Sequence, residues 1–345
     1  MNKEITEGGI TTPYYFPCPQ KRGRYQNPYI EDAKRSLWDF LLWQLGRYDG
    51  ENFRPQAPSD FVYPNPAQLA CLESPQVTWL NHSSFFIQYQ GLGILTDPIW
   101  SKRCSPVPFV GPKRLYEVPF RIEDLPRVDL IVISHDHYDH LDIQAIMQLV
   151  KKNPEVIFFV PRGVGKTLRK YKIFKILELA WWEQQEILFP QHQNLILRTT
   201  SVPAQHFSGR GLFNKNKSLW CGWVFQFFER KALTKQCYFV GDTGYNPYDF
   251  VNIGKVFGGF DLSLIPIGTY IPFSFMAPVH ICPSKAVQIH EEVKSKLSVG
   301  MHWKTFCLSD EELGQPPYDL YLAMKEKELD PLAFRVLNPG QRINW

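Results

Sequence analysis

The run His135-Asp136-His137-Tyr138-Asp139-His140 crowds three imidazoles and two carboxylates onto one short stretch of chain. Packing offers no reason for such a cluster, whereas metal ligation does. Imidazole and carboxylate together suit a borderline divalent cation such as zinc. Three later residues could complete a site: His206 in Gln205-His206, Asp242 in Val240-Gly241-Asp242-Thr243-Gly244, and His302 in Gly300-Met301-His302-Trp303. Taken singly, Asp242 reads equally well as the cap of a glycine turn, and His206 or His302 as a satisfied core histidine. Coincidence becomes untenable when they are taken with the His/Asp run.

The elements that must position these residues are strands. The apolar stretch from Asp129 to Ser134 delivers the His/Asp run, and a helix follows it. Asp142 is a suitable N-cap for that helix, and Ile143, Ile146, Met147 and Val150 fall on one face. Further strands are expected at Val77–Leu80, Ser84–Tyr89, Ile94–Thr96, Val156–Val160, Leu195–Thr199, Trp223–Phe228, Cys237–Val240, Leu262–Ile267 and Ser298–Met301. A helix is expected from Ser284, as its cap, to Lys294. Side chains at strand ends can converge on one sheet edge, where loops leave room for a ligand. The pattern implies two sheets with helices on their outer faces. Residues 101–120 read as a Pro-rich loop long enough to act as a lid or rim.

Residues 1–75 differ, being rich in Pro, Tyr and Asn. They hold one amphipathic helical pattern from Glu31 to Arg47, carried by Leu37, Trp38, Leu41, Leu42 and Leu45. They read as an arm packed on a main domain of residues 76–345, or as a surface helix that helps to seat an amphiphilic substrate. The segment Gly163-Val164-Gly165-Lys166-Thr167 resembles the tail of a phosphate-binding loop. The first glycine of such a loop would fall at Val160, with Pro161 after it, so the segment reads as a helix start.

Apolar residues make up 44% of the 345 positions and charged residues 21%, which is the balance of a globular chain with a large core. A net charge of +4 is too small for a nucleic-acid-binding domain. The seven cysteines are scattered, odd in number and free of any C-x-x-C pair, a pattern that fits thiols in a reducing compartment. Neither a signal-peptide pattern nor an apolar run of about 18 residues occurs. The expectation is a cytoplasmic protein, with peripheral membrane contact left open.

His135-x-His137-x-Asp139-His140 with His206, Asp242 and His302 resembles the metallo-β-lactamase superfamily, which implies an α/β fold, a four-layer αβ/βα sandwich. More specific motifs narrow the resemblance. Thr96-Asp97-Pro98-Ile99, Ser105-Pro106-Val107, Gly111-Pro112-Lys113-Arg114, His280-x-x-Pro283 and His302-Trp303-x-Thr305-Phe306 look like the N-acyl-phosphatidylethanolamine-hydrolysing phospholipase D family. The resemblance spans roughly residues 75–340. It implies two zinc ions, with manganese or mixed metals as alternatives. His135, His137 and His206 would hold one ion, Asp139, His140 and His302 the other, and Asp242 would bridge them together with a hydroxide. Alternate residues of an extended segment project the same way, so His135 and His137 can share an ion. Asp139 and His140 lie past the bend.

By the same resemblance Asp97 orients a ligand or the hydroxide. His280 meets the substrate phosphate, stabilising charge or protonating the leaving alkoxide. His82 falls in a Gly-His-Ala-type position and reads as structural or as support for a ligand. Arg210 is a candidate contact for a lipid phosphate, with a solvated loop as its competing reading. The chain departs from the animal enzymes between His206 and Gly211 and in the amino-terminal arm.

The implied activity is hydrolysis of N-acyl-phosphatidylethanolamine-like phospholipids to an N-acylethanolamine and phosphatidic acid, by a possible homodimer in contact with a membrane surface. A metal-dependent lactonase or other hydrolase of a soluble metabolite is the first alternative, and a non-catalytic lipid-binding protein the second.

Overall fold

A computed structural model describes residues 17–30, 55–64, 75–192, 195–211 and 213–345. The helical pattern at Glu31–Arg47 lies outside these described residues. A small ribbon, β1 (Gln20–Lys21) and β2 (Arg24–Tyr25), precedes the main body. The first large sheet is built from β3 (Gln76–Asn81), β4 (Ser84–Tyr89), β5 (Leu92–Thr96), β6 (Leu130–Val132), β7 (Ile157–Pro161) and β8 (Ile176–Leu179) in sequence order. The second holds β9 (Gln184–Phe189), β10 (Leu195–Val202), β11 (Gly222–Glu229), β12 (Ala232–Phe239), β13 (Leu262–Pro266), β14 (Ser298–Met301) and β15 (Phe334–Arg335). The last strand, β16 (Arg342–Asn344), returns to pair with β3 and gives the first sheet its seventh strand.

Both sheets repeat one pattern. Three antiparallel pairings, β16–β3–β4–β5 or β9–β10–β11–β12, are followed by three parallel ones, β5–β6–β7–β8 or β12–β13–β14–β15. In this arrangement β3, β5 and β6 of one sheet end on a single edge, as do β10, β12, β13 and β14 of the other. The chain segments leaving those strand ends carry every candidate ligand.

Burial on both faces explains the near-continuous apolar strands, and alternation sorts their side chains. Leu130 and Val132 of β6 join Trp79, Ile94, Phe159, Trp223 and Phe239 between the sheets. Ile131 and Ile133 point to the other face, where they meet Leu95, Phe158, Ile146 and Leu149 beneath α1 (Ile143–Lys152). Asp142 caps α1 as expected, accepting Gln144 N at 3.0 Å and Ala145 N at 3.3 Å through Oδ1. Its Oδ2 also takes Trp100 N at 3.0 Å and Ser101 N at 2.8 Å, fastening the start of the Pro-rich loop to the helix.

Among the described residues the other α-helices are α2 (Gly165–Arg169), α3 (Asp249–Phe257), α4 (Phe273–Met276), α5 (Pro283–Glu292) and α6 (Gln315–Glu326). The helix expected to be capped by Ser284 is capped two residues earlier and runs over Pro283–Glu292. Cys282 is its N-cap and makes no side-chain cap bond, and Pro283 takes the first helical position, where no N–H is needed. The segment resembling a phosphate-binding loop does lead into a helix. There Gly163 N donates to Glu178 Oε2 at 2.7 Å, so a carboxylate takes the amide. The described cysteines are all free thiols. Among the described residues no helix is long and apolar enough to cross a membrane.

Candidate metal centre

The shared edge of the two sheets brings the predicted residues together. The turn after β3 carries His82, and β5 ends just before Asp97. The residues after β6 carry His135, His137, Asp139 and His140. From the second sheet, β10 leads to His206, β12 to Asp242, β13 to Thr269 and β14 to His302. The backbone is forced to turn sharply there. His82, Asp97, Thr269 and His302 have φ of 43°, 32°, 68° and 60°, in the left-handed region that non-glycine residues avoid. Such positions cost roughly 1–3 kcal/mol each and persist only where the surroundings enforce them. Gly241, at φ 69°, lets Asp242 approach the His/Asp run. A Cβ there would lie 2.9 Å from both Cys221 O and Ser134 Cβ.

Two groups of donors flank Asp242. In one, His137 Nδ1 lies 2.8 Å from His135 Nε2 and 3.3 Å from His206 Nε2. Two Zn–N bonds at a tetrahedral angle would separate their nitrogens by about 3.3 Å. In the other, Asp139 Oδ2 lies 3.0 Å from His82 Nε2, 3.3 Å from His140 Nε2 and 3.5 Å from His302 Nε2. Asp242 Oδ2 stands between them, 3.1 Å from His140 Nε2 and 3.0 Å from His302 Nε2 on one side. On the other it is 4.0 Å from His135 Nε2 and 3.8 Å from His206 Nε2.

The chemistry of these donors fits a cation. His140 Nε2, His302 Nε2 and Asp242 Oδ1 are buried without an aligned hydrogen-bond partner, even though both nitrogens lie near Asp242 Oδ2. Short distances without hydrogen-bond alignment suit ligand atoms arranged around common centres. Burial first, and then the neighbouring imidazoles, hold His135 well below the usual histidine range. Burial does the same to His206 although Asp242 opposes it, so both rings are neutral donors. Burial alone would raise the Asp242 carboxyl, but His140 and His302 beside it hold it well below the carboxylate range. His302 goes the other way: burial would lower it, yet Asp242 and Asp139 lift it to about 9.

A layer of hydrogen bonds fixes which nitrogen faces inward. Asp97 is fully buried. Its Oδ1 accepts Ser134 N at 2.7 Å, and its Oδ2 accepts Ser134 Oγ at 2.5 Å and His140 Nδ1 at 2.7 Å. Ser134 Oγ in turn meets His135 Nδ1 at 2.9 Å. One carboxylate thus orients two rings. Burial raises the Asp97 carboxyl, and the donors from His140 and Ser134 oppose that. His206 Nδ1 meets Val279 O at 2.9 Å, and His302 Nδ1 meets Thr269 Oγ1 at 3.1 Å. Glu311 supports that last contact, accepting the backbone N–H groups of Thr269, Tyr270 and Ile271.

Thr269 and Glu311 carry no motif that sequence reasoning could have used, and Ser134, which directly precedes the His/Asp run, was given no role by it. His82 was legible only as a supporting residue, and it lies against Asp139 with its ring centroid 4.1 Å from that of His302.

His280, half-buried beside His206 and Asp242, sits with its ring centroid 5.2 Å from His206 and 5.4 Å from His302. Arg210 is placed differently from the phosphate contact considered for it. Its Nη1 donates to the carbonyls of Asp136 at 3.0 Å and Leu141 at 2.7 Å, and the guanidinium lies 4.0 Å over the Tyr138 ring. It braces the ligand loop. Asp136 also works on the scaffold, accepting Gly209 N and Ser218 Oγ at 2.7 Å each. From the amino-terminal region, Asn27 Nδ2 donates to His206 O at 2.8 Å.

This fold and donor cluster define a metal-dependent hydrolase of the metallo-β-lactamase type, and comparison with known proteins agrees. The β-lactamase superfamily domain model matches residues 93–303, and the chain belongs to that superfamily. Within it, the chain resembles the N-acyl-phosphatidylethanolamine-hydrolyzing phospholipases D. It is 38% identical over 271 residues to such a phospholipase D of Caenorhabditis elegans, covering 76% of this chain and 74% of that one. An uncharacterized protein of Mycobacterium tuberculosis is 39% identical over 315 residues, covering 88% and 77%. A mitochondrial protein of the same phospholipase name from Saccharomyces cerevisiae is 36% identical over 240 residues, covering 69% of this chain and 49% of that one. Among solved structures, a metallo hydrolase from Ignicoccus hospitalis shares the fold with a TM-score of 0.55 at 21% identity, covering 78% of this chain and 97% of that one.

Proposed function

We propose that this chain is a phospholipase D-type phosphodiesterase. It would hydrolyse N-acyl-phosphatidylethanolamine-like lipids to an N-acylethanolamine and phosphatidic acid, using two zinc ions. The observation that carries the reading is Asp242 Oδ2 standing between two groups of donors. His135, His137 and His206 would hold one ion, Asp139, His140 and His302 the other, and Asp242 would join them. Ions held there would supply Lewis acidity to phosphoryl oxygens and acidify a water for attack on phosphorus. The mixture of imidazole and carboxylate suits zinc.

The protein's own groups would do the rest. Asp97, through Ser134 and His140 Nδ1, keeps two imidazoles in the tautomer whose Nε2 faces inward. Thr269 and the Val279 carbonyl do the same for His302 and His206. His280, half-buried beside His206 and Asp242, would hold the proton that goes to the leaving alkoxide. The named activity of the nematode and yeast relatives supports a phospholipid as the substrate.

The test is metal content measured beside hydrolysis of N-acyl-phosphatidylethanolamine in detergent micelles. Asp242→Asn should abolish turnover and reduce bound metal while leaving the circular dichroism spectrum intact. Undiminished hydrolysis by that variant would sink the dinuclear reading. Turnover of soluble lactones but not of the lipid would sink the substrate.

A further inference from the structure

We infer that the edge of the molecule carrying the metal centre is a lipid-surface docking rim, built on three exposed phenylalanines: Phe109, Phe213 and Phe273. Four described phenylalanines are exposed large hydrophobics: these three, at 75%, 82% and 42%, and Phe174 at 71%. The three stand on segments that leave the carboxyl ends of β5, β10 and β13, the edge from which the candidate ligands also project. Phe174 precedes β8, which runs parallel to β7 and β6, so it lies at the opposite edge. Counting tyrosines, four of the six exposed rings among the described residues stand on segments leaving that edge, Tyr248 at 37% being the fourth, and Tyr171 at 45% joins Phe174 at the opposite one. The Phe109 loop adds Val110 at 59% and Val107 at 37% to the same crest.

The loops are held in place. Leu115 N donates to Thr305 O at 2.9 Å, and Thr305 Oγ1 accepts His82 N at 2.7 Å, so the Phe109 loop is rooted beside the cluster. Phe213 follows His206 in the segment braced by Arg210 and Asp136, and Phe273 opens α4, seven residues before His280.

Charge selects the occupant. Residues 98–116, 207–217 and 268–290 contain no Asp or Glu, and Lys102, Lys113, Lys215 and Lys217 are exposed among them. Acids meet these segments at Asp310 and Glu311, which pack on Thr269–Ile271, where Glu311 spends its oxygens on backbone N–H groups. Isolated aromatic crests flanked by lysine suit an anionic bilayer, in which rings enter the acyl boundary and ammonium groups meet lipid phosphates. A second copy of this chain would place the lysines of one rim against those of the other.

The inference rests on the phospholipid reading for its purpose, but binding can be measured without hydrolysis. The full chain would be sedimented with vesicles of phosphatidylcholine alone and of phosphatidylcholine mixed with phosphatidylglycerol. Phe109→Ser, the triple Phe→Ser rim variant and Phe174→Ser would be compared. Binding should be stronger on the anionic vesicles. It should fall at least about tenfold in the triple variant, because burying one phenylalanine ring exceeds a tenfold step in affinity. Phe174→Ser should bind as the parent does.

Equal binding by the triple variant and the parent would overturn the rim, as would an equal loss in Phe174→Ser. A loss of self-association in the rim variants with unchanged vesicle binding would assign the face to a second copy. Rim-dependent binding by a protein that hydrolyses no phospholipid would sink the proposed activity and leave the rim standing.

Discussion

Asp97 joins two histidine orientations in one buried carboxylate, binding His140 directly and His135 through Ser134. An amide at this position keeps the volume but loses one acceptor and the negative charge. Asp97→Asn should therefore weaken metal binding about 10–100-fold, the usual cost of losing such support. Competition against a chromophoric chelator would measure it, and an unchanged affinity would refute the orienting role. The run from His135 to His140 was readable because ligand chemistry is written in residue type. Thr269 and Glu311 were not, since a threonine becomes a positioning group only when a distant ring is folded onto it, and a glutamate only when it takes the backbone N–H groups of that threonine's loop. Arg210 shows the converse, as its charge suggested phosphate while its contacts are backbone carbonyls.

At the scale of elements, Asp142 is both the N-cap of α1 and the anchor of the Pro-rich loop, with four backbone N–H groups on its two oxygens. Asp142→Ala should cost about 2 kcal/mol of stability, the upper range for a lost cap. A smaller loss would follow if water replaced the contacts to Trp100 and Ser101. Chemical denaturation would read the first quantity. Limited proteolysis of residues 101–116 should quicken in the variant if the anchor holds the loop. The strands carrying the site were legible because apolar runs ended at polar motifs. β8, β9 and β16 were not, as their sequences show no clear alternation. β16 pairs with β3 from more than two hundred residues away, a contact that local pattern cannot encode.

For the molecule as a whole, metal and proton compete. In the metal-free protein Asp242 and Asp139 raise His302 from 6.5 to about 9, so its ring is protonated at neutral pH. That pairing stabilises the metal-free fold fully below about pH 6.5 and is lost as pH rises through about 9. Ligation needs the neutral ring, so metal binding should release protons, and affinity should climb as pH rises through about 9. His140 acts in the same direction: burial would lower it, yet Asp242 and Asp139 lift it well above the usual histidine range. Calorimetric titration of chelator-stripped protein in buffers of different ionisation enthalpy would detect the release, and its absence at pH 7 would contradict the scheme. Metal at about a hundred times its dissociation constant should add about 2.7 kcal/mol to stability, read as a higher melting temperature.

The sequence by itself determined the donor set, the superfamily and the strand ends on which the ligands sit, because residue type and apolar periodicity are local properties. The tertiary structure decided which nitrogen of each histidine faces inward, that Asp242 stands between two groups of donors, and that Arg210 braces the ligand loop. It also placed three exposed rings on one edge. Those outcomes depend on directions and distances between segments of two separate sheets, and only their packing sets them.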